Sequence, residues 1–283
     1  MIIDIHTHTF PEKIAARALS KLSLAAHCVP YTEATDASLL SSMERSGVDV
    51  SIICPVATSP AQVSKVNDGV LIKNEAFTGR GLLSFGSIHP DLADYADELA
   101  RLQKAGVKGI KIHPVYQETD IDDIRFLRIL YKAAELGLIV LTHGGQDISF
   151  PGVVHCSPRM MAHALNEIGP MHFIAAHMGG WHDWQEVPDC LAGTGCYLDT
   201  SFSTDSFEPL PDGYWKEGEN LMLDEPSFTN LVHAIGADHI LYGSDSPWSK
   251  QTDSIAFIRA SSLSETEKTA ILGGNAAKLL RLI

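Results

Sequence analysis

Short apolar runs of strand length alternate with longer amphipathic stretches along most of the chain. The short runs are rich in Ile, Leu and Val and are apolar on both faces, which is typical of strands in a buried parallel sheet. The pattern predicts eight strands, at residues 2–5, 50–54, 82–88, 109–112, 139–142, 172–175, 197–200 and 240–242.

The stretches between these strands carry apolar residues at spacings of three and four, which predicts helices. The clearest are residues 92–105, 124–136 and 160–168, and residues 265–280 predict a closing helix after the last strand. Gly137 and Gly169 follow two of these helices directly, as glycine often does at a helix C-terminus.

Eight strands that alternate with helices are the count of a (β/α)8 TIM barrel of the α/β class. An open doubly wound sheet is the alternative, but no G-x-G-x-x-G motif follows the first strand. No linker-like stretch divides the chain, so we expect a single domain over residues 1–283. Two connections are long, residues 9–48 and 202–239, and long βα loops are where barrels build substrate pockets.

The net charge of the chain indicates which partners it can bind, and its cysteines indicate its cellular compartment. The chain has 35 acidic residues against 21 Lys and Arg, a net charge of -14, which argues against nucleic acid or an anionic membrane as partner. The five cysteines form no C-x-x-C pair, and no secretory leader precedes the first strand. We therefore expect a cytoplasmic protein with unpaired thiols.

Polar residues follow the apolar runs at the points where a barrel would gather them. His6 and His8 end the first strand, and residues i and i+2 of a strand point to the same side. The other polar residues at strand ends are Lys111, His113, His143, His177 and Asp245. Because the carboxyl ends of barrel strands converge on one mouth, we expect these side chains to face a common volume.

Imidazole nitrogens and a carboxylate at this mouth predict a site for a divalent metal, with Zn²⁺ favoured and Fe²⁺, Mn²⁺ or Co²⁺ as substitutes. His6, His8 and His143 are the predicted nitrogen ligands. Asp245 is either a further ligand or the base that takes a proton from a metal-bound water. His177 is predicted to act as a general acid–base or to polarise a substrate carbonyl.

Several segments together resemble the amidohydrolase superfamily, and specifically the amidohydrolase-2 family that includes aminocarboxymuconate-semialdehyde decarboxylase. They are residues 3–8 (IDIHTH), 109–114 (GIKIHP), 176–180 (AHMGG), 243–247 (GSDSP) and 274–280 (GNAAKLL). The resemblance implies a metal-dependent barrel enzyme with His6, His8, His143 and Asp245 at the metal and His177 as the acid–base.

Lys111 stands where some members of the superfamily carry a carboxylated lysine that bridges two metals. If it is modified here, His143 and His177 bind a second ion; if it is not, Lys111 pairs with a substrate anion or with Asp245. We favour the unmodified lysine and one ion per chain. His113, at the same strand end, is assigned with Lys111 to substrate binding or bridging.

The family does not fix the reaction. The leading hypothesis is a metal-dependent hydrolase, in which metal-activated water attacks a carbonyl centre of a small polar substrate. The alternative is a metal-dependent nonoxidative decarboxylase, a carbon–carbon lyase of a small carboxylic acid. A noncatalytic binding barrel is disfavoured, because a structural site does not need Asp245 and His177 beyond three nitrogen ligands. The sequence leaves a homo-oligomer open.

Overall fold

The computed structural model describes residues 1–204, 206–220 and 222–282. In these ranges the strands are β1 (Ile3–Thr7), β2 (Val50–Ile53), β3 (Leu82–Ser84), β4 (Gly86–Ser87), β5 (Gly109–Ile112), β6 (Ile139–Thr142), β7 (Phe173–Ala175), β8 (Tyr197–Asp199) and β9 (Ile240–Leu241). Each of the eight predicted strands is therefore confirmed. The third is split in two, and the first extends to Thr7, so that His6 lies inside β1.

The helices occupy the amphipathic stretches between the strands. They are α1 (Glu12–Ala26), α2 (Asp36–Ser46), α3 (Val63–Ala76), α4 (Tyr95–Lys104), α5 (Ile124–Glu135), α6 (Pro158–Ile168), α7 (Val187–Leu191), α8 (Glu225–Ile235), α9 (Gln251–Ala260), α10 (Glu265–Thr269) and α11 (Asn275–Leu279). Short 3₁₀ helices lie at Pro60–Gln62, His177–Gly179, Trp184–Glu186 and Ala237–His239. No helix within the described ranges combines the length and the apolar character that a membrane crossing requires.

Side-chain caps fix where several helices begin. Thr35, Ser157, Asp224 and Ser264 each accept a hydrogen bond from a backbone N–H of the first turn of α2, α6, α8 and α10, respectively. Such a cap satisfies one of the N–H groups that a helix start leaves without an intrahelical acceptor, and contributes about 1 kcal/mol.

The predicted closing helix over residues 265–280 differs from the structure. The π-helical turn Ala270–Gly274 separates α10 from α11. Gly273 explains the interruption, because a Cβ at this residue would lie 2.3 Å from the carbonyl oxygen of Met1. The backbone of the turn thus packs directly on the start of the chain. A regular helix with a side chain at residue 273 could not approach Met1 so closely.

The chain forms two compact units, Met1–Ile53 with Thr200–Ile283, and Cys54–Asp199. The expected single domain over residues 1–283 stays a prediction. In the first unit, β1 pairs in parallel with β2, with Ile3 opposite Val50. The residues after β9 run along β1, because Ile5 N–H donates to the Tyr242 carbonyl and Thr7 forms a parallel bridge with Ser246.

In the second unit, β4, β5, β6, β7 and β8 pair in parallel and in chain order, with a helix between successive strands. The register places Ile112 beside Thr142 and Thr142 beside Ala175. The strands are buried on both faces, as their apolar composition predicts. The residues that follow β5, β6 and β7 therefore emerge side by side.

A glycine pair lets two of these strand ends approach closely. Gly145 has a left-handed φ of +82°, and a Cβ there would lie 2.3 Å from the backbone nitrogen of Trp181. A Cβ at Gly144 would lie 2.7 Å from the Ala176 carbonyl oxygen. Both contacts are with backbone, which cannot move aside as a flexible side chain does.

We expect Gly145→Ala to destabilise the protein by about 1–3 kcal/mol more than Gly152→Ala does. Both glycines have φ near +80°, but nothing lies within 4 Å of a Cβ built at Gly152. The pair therefore separates steric contact from the cost of the left-handed backbone. Urea unfolding followed by circular dichroism measures both variants, and equal midpoints would contradict a steric role for Gly145.

Candidate metal centre

Two imidazoles and one carboxylate converge in the first unit. The Nε2 atoms of His8 and His6 lie 3.0 and 3.5 Å from Oδ1 of Asp245. His6 and Asp245 are buried and His8 is half-buried. Ligand atoms at about 2.0–2.2 Å from one ion are separated by about 3.0–3.6 Å, so these three atoms fit one divalent cation.

The backbone of β1 places Asp245 beside the two histidines. The Asp245 N–H donates to the His6 carbonyl oxygen at 2.8 Å, and the His8 N–H donates to the Ser246 carbonyl oxygen at 2.7 Å. Asp245 has a φ of +61°. A non-glycine residue adopts this left-handed conformation at a cost, and such residues concentrate at functional sites.

Ser201 fixes the orientation of His6. The Ser201 hydroxyl lies 2.9 Å from Nδ1 of His6, on the opposite side of the ring from Asp245. A hydrogen bond from Nδ1–H to this hydroxyl leaves the lone pair on Nε2, the nitrogen that faces Asp245. Such a partner on the second nitrogen is typical of metal-binding histidines.

Asp4 is buried beneath this group, two residues before His6 on the same strand. Its carboxylate accepts hydrogen bonds from the Ser244 N–H and hydroxyl and from the Gln251 amide. Burial raises the pKa of Asp4 to about 6, while these hydrogen bonds act in the opposite direction.

Cys28 is a buried thiol on which the charge of Asp245 acts. Burial, and to a smaller extent the negative charge of Asp245, raise the pKa of Cys28 to about 12. The thiol is thus protonated at neutral pH and supplies no thiolate ligand. The donor set is nitrogen and oxygen, which suits Zn²⁺, Mn²⁺ and Fe²⁺.

A second buried group lies in the second unit, after β5 and β6. Nε2 of His113 is 3.4 Å from Oδ2 of Asp147, and Nε2 of His143 is 4.0 Å from the same oxygen. The rings of His113 and His143 stack at 4.3 Å, and Tyr116 stacks on the other face of His113 at 4.0 Å.

Hydrogen bonds determine which nitrogens of this second group carry protons. Nε2 of His143 lies 3.0 Å from the Gln146 carbonyl oxygen, which only accepts, so Nε2 is protonated. Neutral His143 then has its lone pair on Nδ1, which faces Nε2 of His177 at 3.0 Å. In this arrangement His177 donates, and its Nε2 holds a proton.

The same reasoning applies to His113, whose Nδ1 accepts from the Tyr116 N–H at 3.4 Å. Its Nε2 is therefore protonated and faces Asp147. Asp147 thus faces the Nε2–H of His113 and also accepts from the Ser149 N–H at 2.8 Å, so its carboxylate is already hydrogen-bonded within the protein. His143 offers a ligand atom only at Nδ1.

His177 lies in the turn after β7 with a φ of +60°. Its N–H donates to Asp199 at 3.0 Å, and its carbonyl accepts from the Trp184 indole. Lys111 lies within β5 and is buried, with its backbone carbonyl accepting from the Ser87 hydroxyl. The backbone of both residues is therefore firmly held.

The structure brings together His6, His8 and Asp245 in one unit, and His113, His143 and His177 in the other. The assignment of His143 to the same ion as His6 and His8 stays a prediction.

Sequence reasoning did not identify Asp4, Asp147 or Ser201. The sequence does contain a signal for Asp4: it lies between Ile3 and Ile5 in an apolar strand, and a buried carboxylate needs hydrogen-bonding partners. Asp147 and Ser201 lie in polar loop sequence with no distinguishing pattern.

The chain is similar in sequence to a known protein family. A protein-family model described as amidohydrolase matches residues 3–282. No curated protein matches the chain in sequence. The match to the family model covers nearly the whole chain and includes both groups of histidines.

Three solved structures show the fold. An uncharacterized TIM-barrel protein from Bordetella bronchiseptica has a TM-score of 0.77 at 16% identity, covering 99% of this chain and 98% of that one. The 5-carboxyvanillate decarboxylase LigW from Sphingomonas paucimobilis has a TM-score of 0.71 at 15% identity, covering 99% and 98%. A dihydroxybenzoic acid decarboxylase from Polaromonas, solved with bound manganese and the inhibitor 2-nitroresorcinol, has a TM-score of 0.67 at 15% identity, covering 99% and 97%. The predicted TIM-barrel fold is confirmed.

Replacing His6 or His8 by alanine should weaken binding of Mn²⁺ or Zn²⁺ by about 100-fold or more, because each change removes a ligand. His233→Ala is the matched control, since this exposed histidine of α8 pairs with Glu267. Isothermal titration calorimetry and elemental analysis measure the effect. His143→Ala belongs in the same series: unchanged metal binding would show that His143 is not a ligand.

Proposed function

The chain belongs to the amidohydrolase-2 family, and on that premise we propose that it is a metal-dependent nonoxidative decarboxylase of a small carboxylic acid. The observation that carries the proposal is the convergence of His6, His8 and Asp245 at the end of β1. These residues supply two neutral nitrogens and one negative charge, so a divalent cation bound here keeps a net positive charge. A substrate carboxylate is attracted to such a centre.

The bound ion would supply Lewis-acid chemistry, holding the substrate carboxylate and a neighbouring oxygen and drawing electron density from them. The sequence favours Zn²⁺. The manganese in the Polaromonas enzyme makes Mn²⁺ an equal candidate for this nitrogen and oxygen donor set.

Decarboxylation breaks one carbon–carbon bond. The electron pair stays on the substrate carbon, CO₂ leaves, and that carbon takes up one proton. We assign the proton transfer to His177, as the sequence predicts, because the hydrogen bonds of His143 leave a proton on Nε2 of His177. Lys111 and His113 are proposed to contact the substrate.

The comparisons favour decarboxylation over hydrolysis. Two of the three similar structures described above are named as decarboxylases of aromatic acids, and both align over nearly their full length. We therefore propose an aromatic carboxylic acid with a neighbouring oxygen substituent as the first substrate class to test. The cytoplasmic location and a homo-oligomeric state stay predictions.

Hydrolysis of a carbonyl substrate is the second candidate, and the position of Asp245 supports it. Its Oδ1 lies near both His6 and His8, where a carboxylate can accept a proton from an attacking water. The same residues thus serve either reaction, and the substrate decides which bond breaks.

The deciding experiment incubates metal-loaded protein with dihydroxybenzoates and 5-carboxyvanillate, and separately with a panel of esters, lactones and amides. Decarboxylation in D₂O releases CO₂ and leaves one deuterium on the carbon that lost the carboxylate. Hydrolysis in ¹⁸O-labelled water leaves ¹⁸O in the product acid. Labelled acid without CO₂ would replace the proposal by the second candidate.

We expect Asp245→Asn to reduce turnover by at least about 100-fold, because the amide lowers the negative charge at the centre and cannot accept a proton. The metal content should fall less than in the His6 variant, since the amide oxygen still offers a lone pair. Steady-state kinetics and elemental analysis of the two variants provide the test. Turnover within tenfold of the parent would exclude Asp245 as an essential group.

His177→Ala separates a one-ion centre from a two-ion centre. With one ion, we expect unchanged metal stoichiometry and a loss of rate of about 10²–10⁴-fold, the usual scale for acid–base catalysis. With two ions, His143 and His177 share the second, and the variant loses it, as does Lys111→Ala. Metal stoichiometry and turnover of the His177 variant, measured together, distinguish the two.

A further inference from the structure

We propose that Asp4 is a positioning residue that holds Asp245 in register with His6 and His8 for a shared divalent cation. This inference rests on the proposed function, because it takes the three residues as metal ligands. Asp4 itself lies fully buried, and its carboxylate is turned to hydrogen-bond donors of the protein.

Both oxygens of Asp4 are engaged by donors. Oδ1 accepts from the Ser244 N–H at 2.9 Å and from the His6 N–H at 3.2 Å. Oδ2 accepts from the Ser244 hydroxyl at 2.6 Å and from the Gln251 amide at 2.7 Å. The Asp4 carboxylate thus contacts the backbone of His6, which is a predicted ligand. It also contacts Ser244, which directly precedes the predicted ligand Asp245.

Ser244 links Asp4 to the turn that contains Asp245. The Ser244 hydroxyl donates to Asp4 and accepts from the Ser246 N–H at 3.0 Å, so it closes a turn around Asp245. Asp245 sits in that turn with a φ of +61° and donates its N–H to the His6 carbonyl. A left-handed aspartate persists only where its surroundings over-determine the conformation, and Asp4 with Ser244 provides that constraint.

A carboxylate suits this position better than an amide does. The Ser244 N–H and hydroxyl, the His6 N–H and the Gln251 amide all donate to Asp4, and a carboxylate accepts on both oxygens. Asparagine has nearly the same shape but directs an NH₂ group at donors on one side. Asp4→Asn therefore removes the hydrogen bonds of one oxygen and sets donor against donor, which releases Ser244 or His6 from its position.

Gln251 provides an internal comparison. Its amide donates to Asp4 and to the Ser51 hydroxyl, so it joins α9 to the strands. The hydrogen bonds that link Asp4 to residues 244–246 do not pass through Gln251. Gln251→Leu removes one donor from the same carboxylate and leaves the turn around Asp245 intact.

The test measures Mn²⁺ affinity by calorimetry, and the visible absorption of Co²⁺-substituted protein, for Asp4→Asn, Ser244→Ala and Gln251→Leu. We expect Asp4→Asn and Ser244→Ala to weaken Mn²⁺ binding by about 10–100-fold, as loss of outer hydrogen bonds around metal ligands typically does. Their Co²⁺ spectra should change in intensity and position. Gln251→Leu should keep the Mn²⁺ affinity within about threefold of the parent and should leave the Co²⁺ spectrum unchanged.

Asn275→Ala is the control for stability alone. Asn275 is buried in the same unit and donates to the carbonyls of Ala237 and Ile240, away from residues 244–246. A purely structural role for Asp4 predicts metal affinities that follow the unfolding midpoints across all four variants, and an unchanged Co²⁺ spectrum.

If Asp4→Asn does not fold, Ser244→Ala carries the test. Parent protein that binds neither ion would overturn the proposed function and this inference with it. Parent protein that binds normally, with affinity and spectrum unchanged in both variants, would overturn the role of Asp4 alone.

Discussion

Hydrogen bonds between the end of β1 and residues 242–246 hold the candidate metal centre together. The Ile5 and His8 N–H groups donate to Tyr242 and Ser246, and Asp245 donates back to His6. Because these are backbone bonds between segments more than 230 residues apart, the relative position of the predicted ligands is set by sheet geometry rather than by flexible side chains. Asp4 adds a buried carboxylate to this junction, and hydrogen bonds to a charged group contribute about 1.5–3 kcal/mol each.

Hydrogen bonds also orient two of the imidazole rings. The Ser201 hydroxyl contacts Nδ1 of His6, and the Gln146 carbonyl fixes the proton of His143 on Nε2. The orientation of both rings and the tautomer of His143 are therefore set by the protein itself. A preorganised centre of this kind loses little free energy to rearrangement when it acts.

The roles proposed for these residues are compatible with more than one reaction. In the proposed function a bound cation would supply positive charge, His177 would supply a proton and Asp245 would accept one, and none of these roles specifies the bond that breaks. Hydrolysis needs a water beside the substrate carbonyl, whereas decarboxylation needs a carboxylate at the cation and a proton donor at carbon. Solved structures with the same fold include decarboxylases.

The order of strands, their apolar character and the polar residues at their ends were readable in the sequence, because period and composition are local properties. His6 and His8 were recognisable as a pair since i and i+2 share one side of a strand. The partners of these residues were not readable. Ser201 and Asp4 act through contacts across long stretches of chain, and the proton positions of His143 and His177 depend on a carbonyl that any residue at position 146 provides. The break in the predicted closing helix was not readable in the sequence either. It depends on the contact of Gly273 with Met1, which exists only after the two ends of the chain have packed.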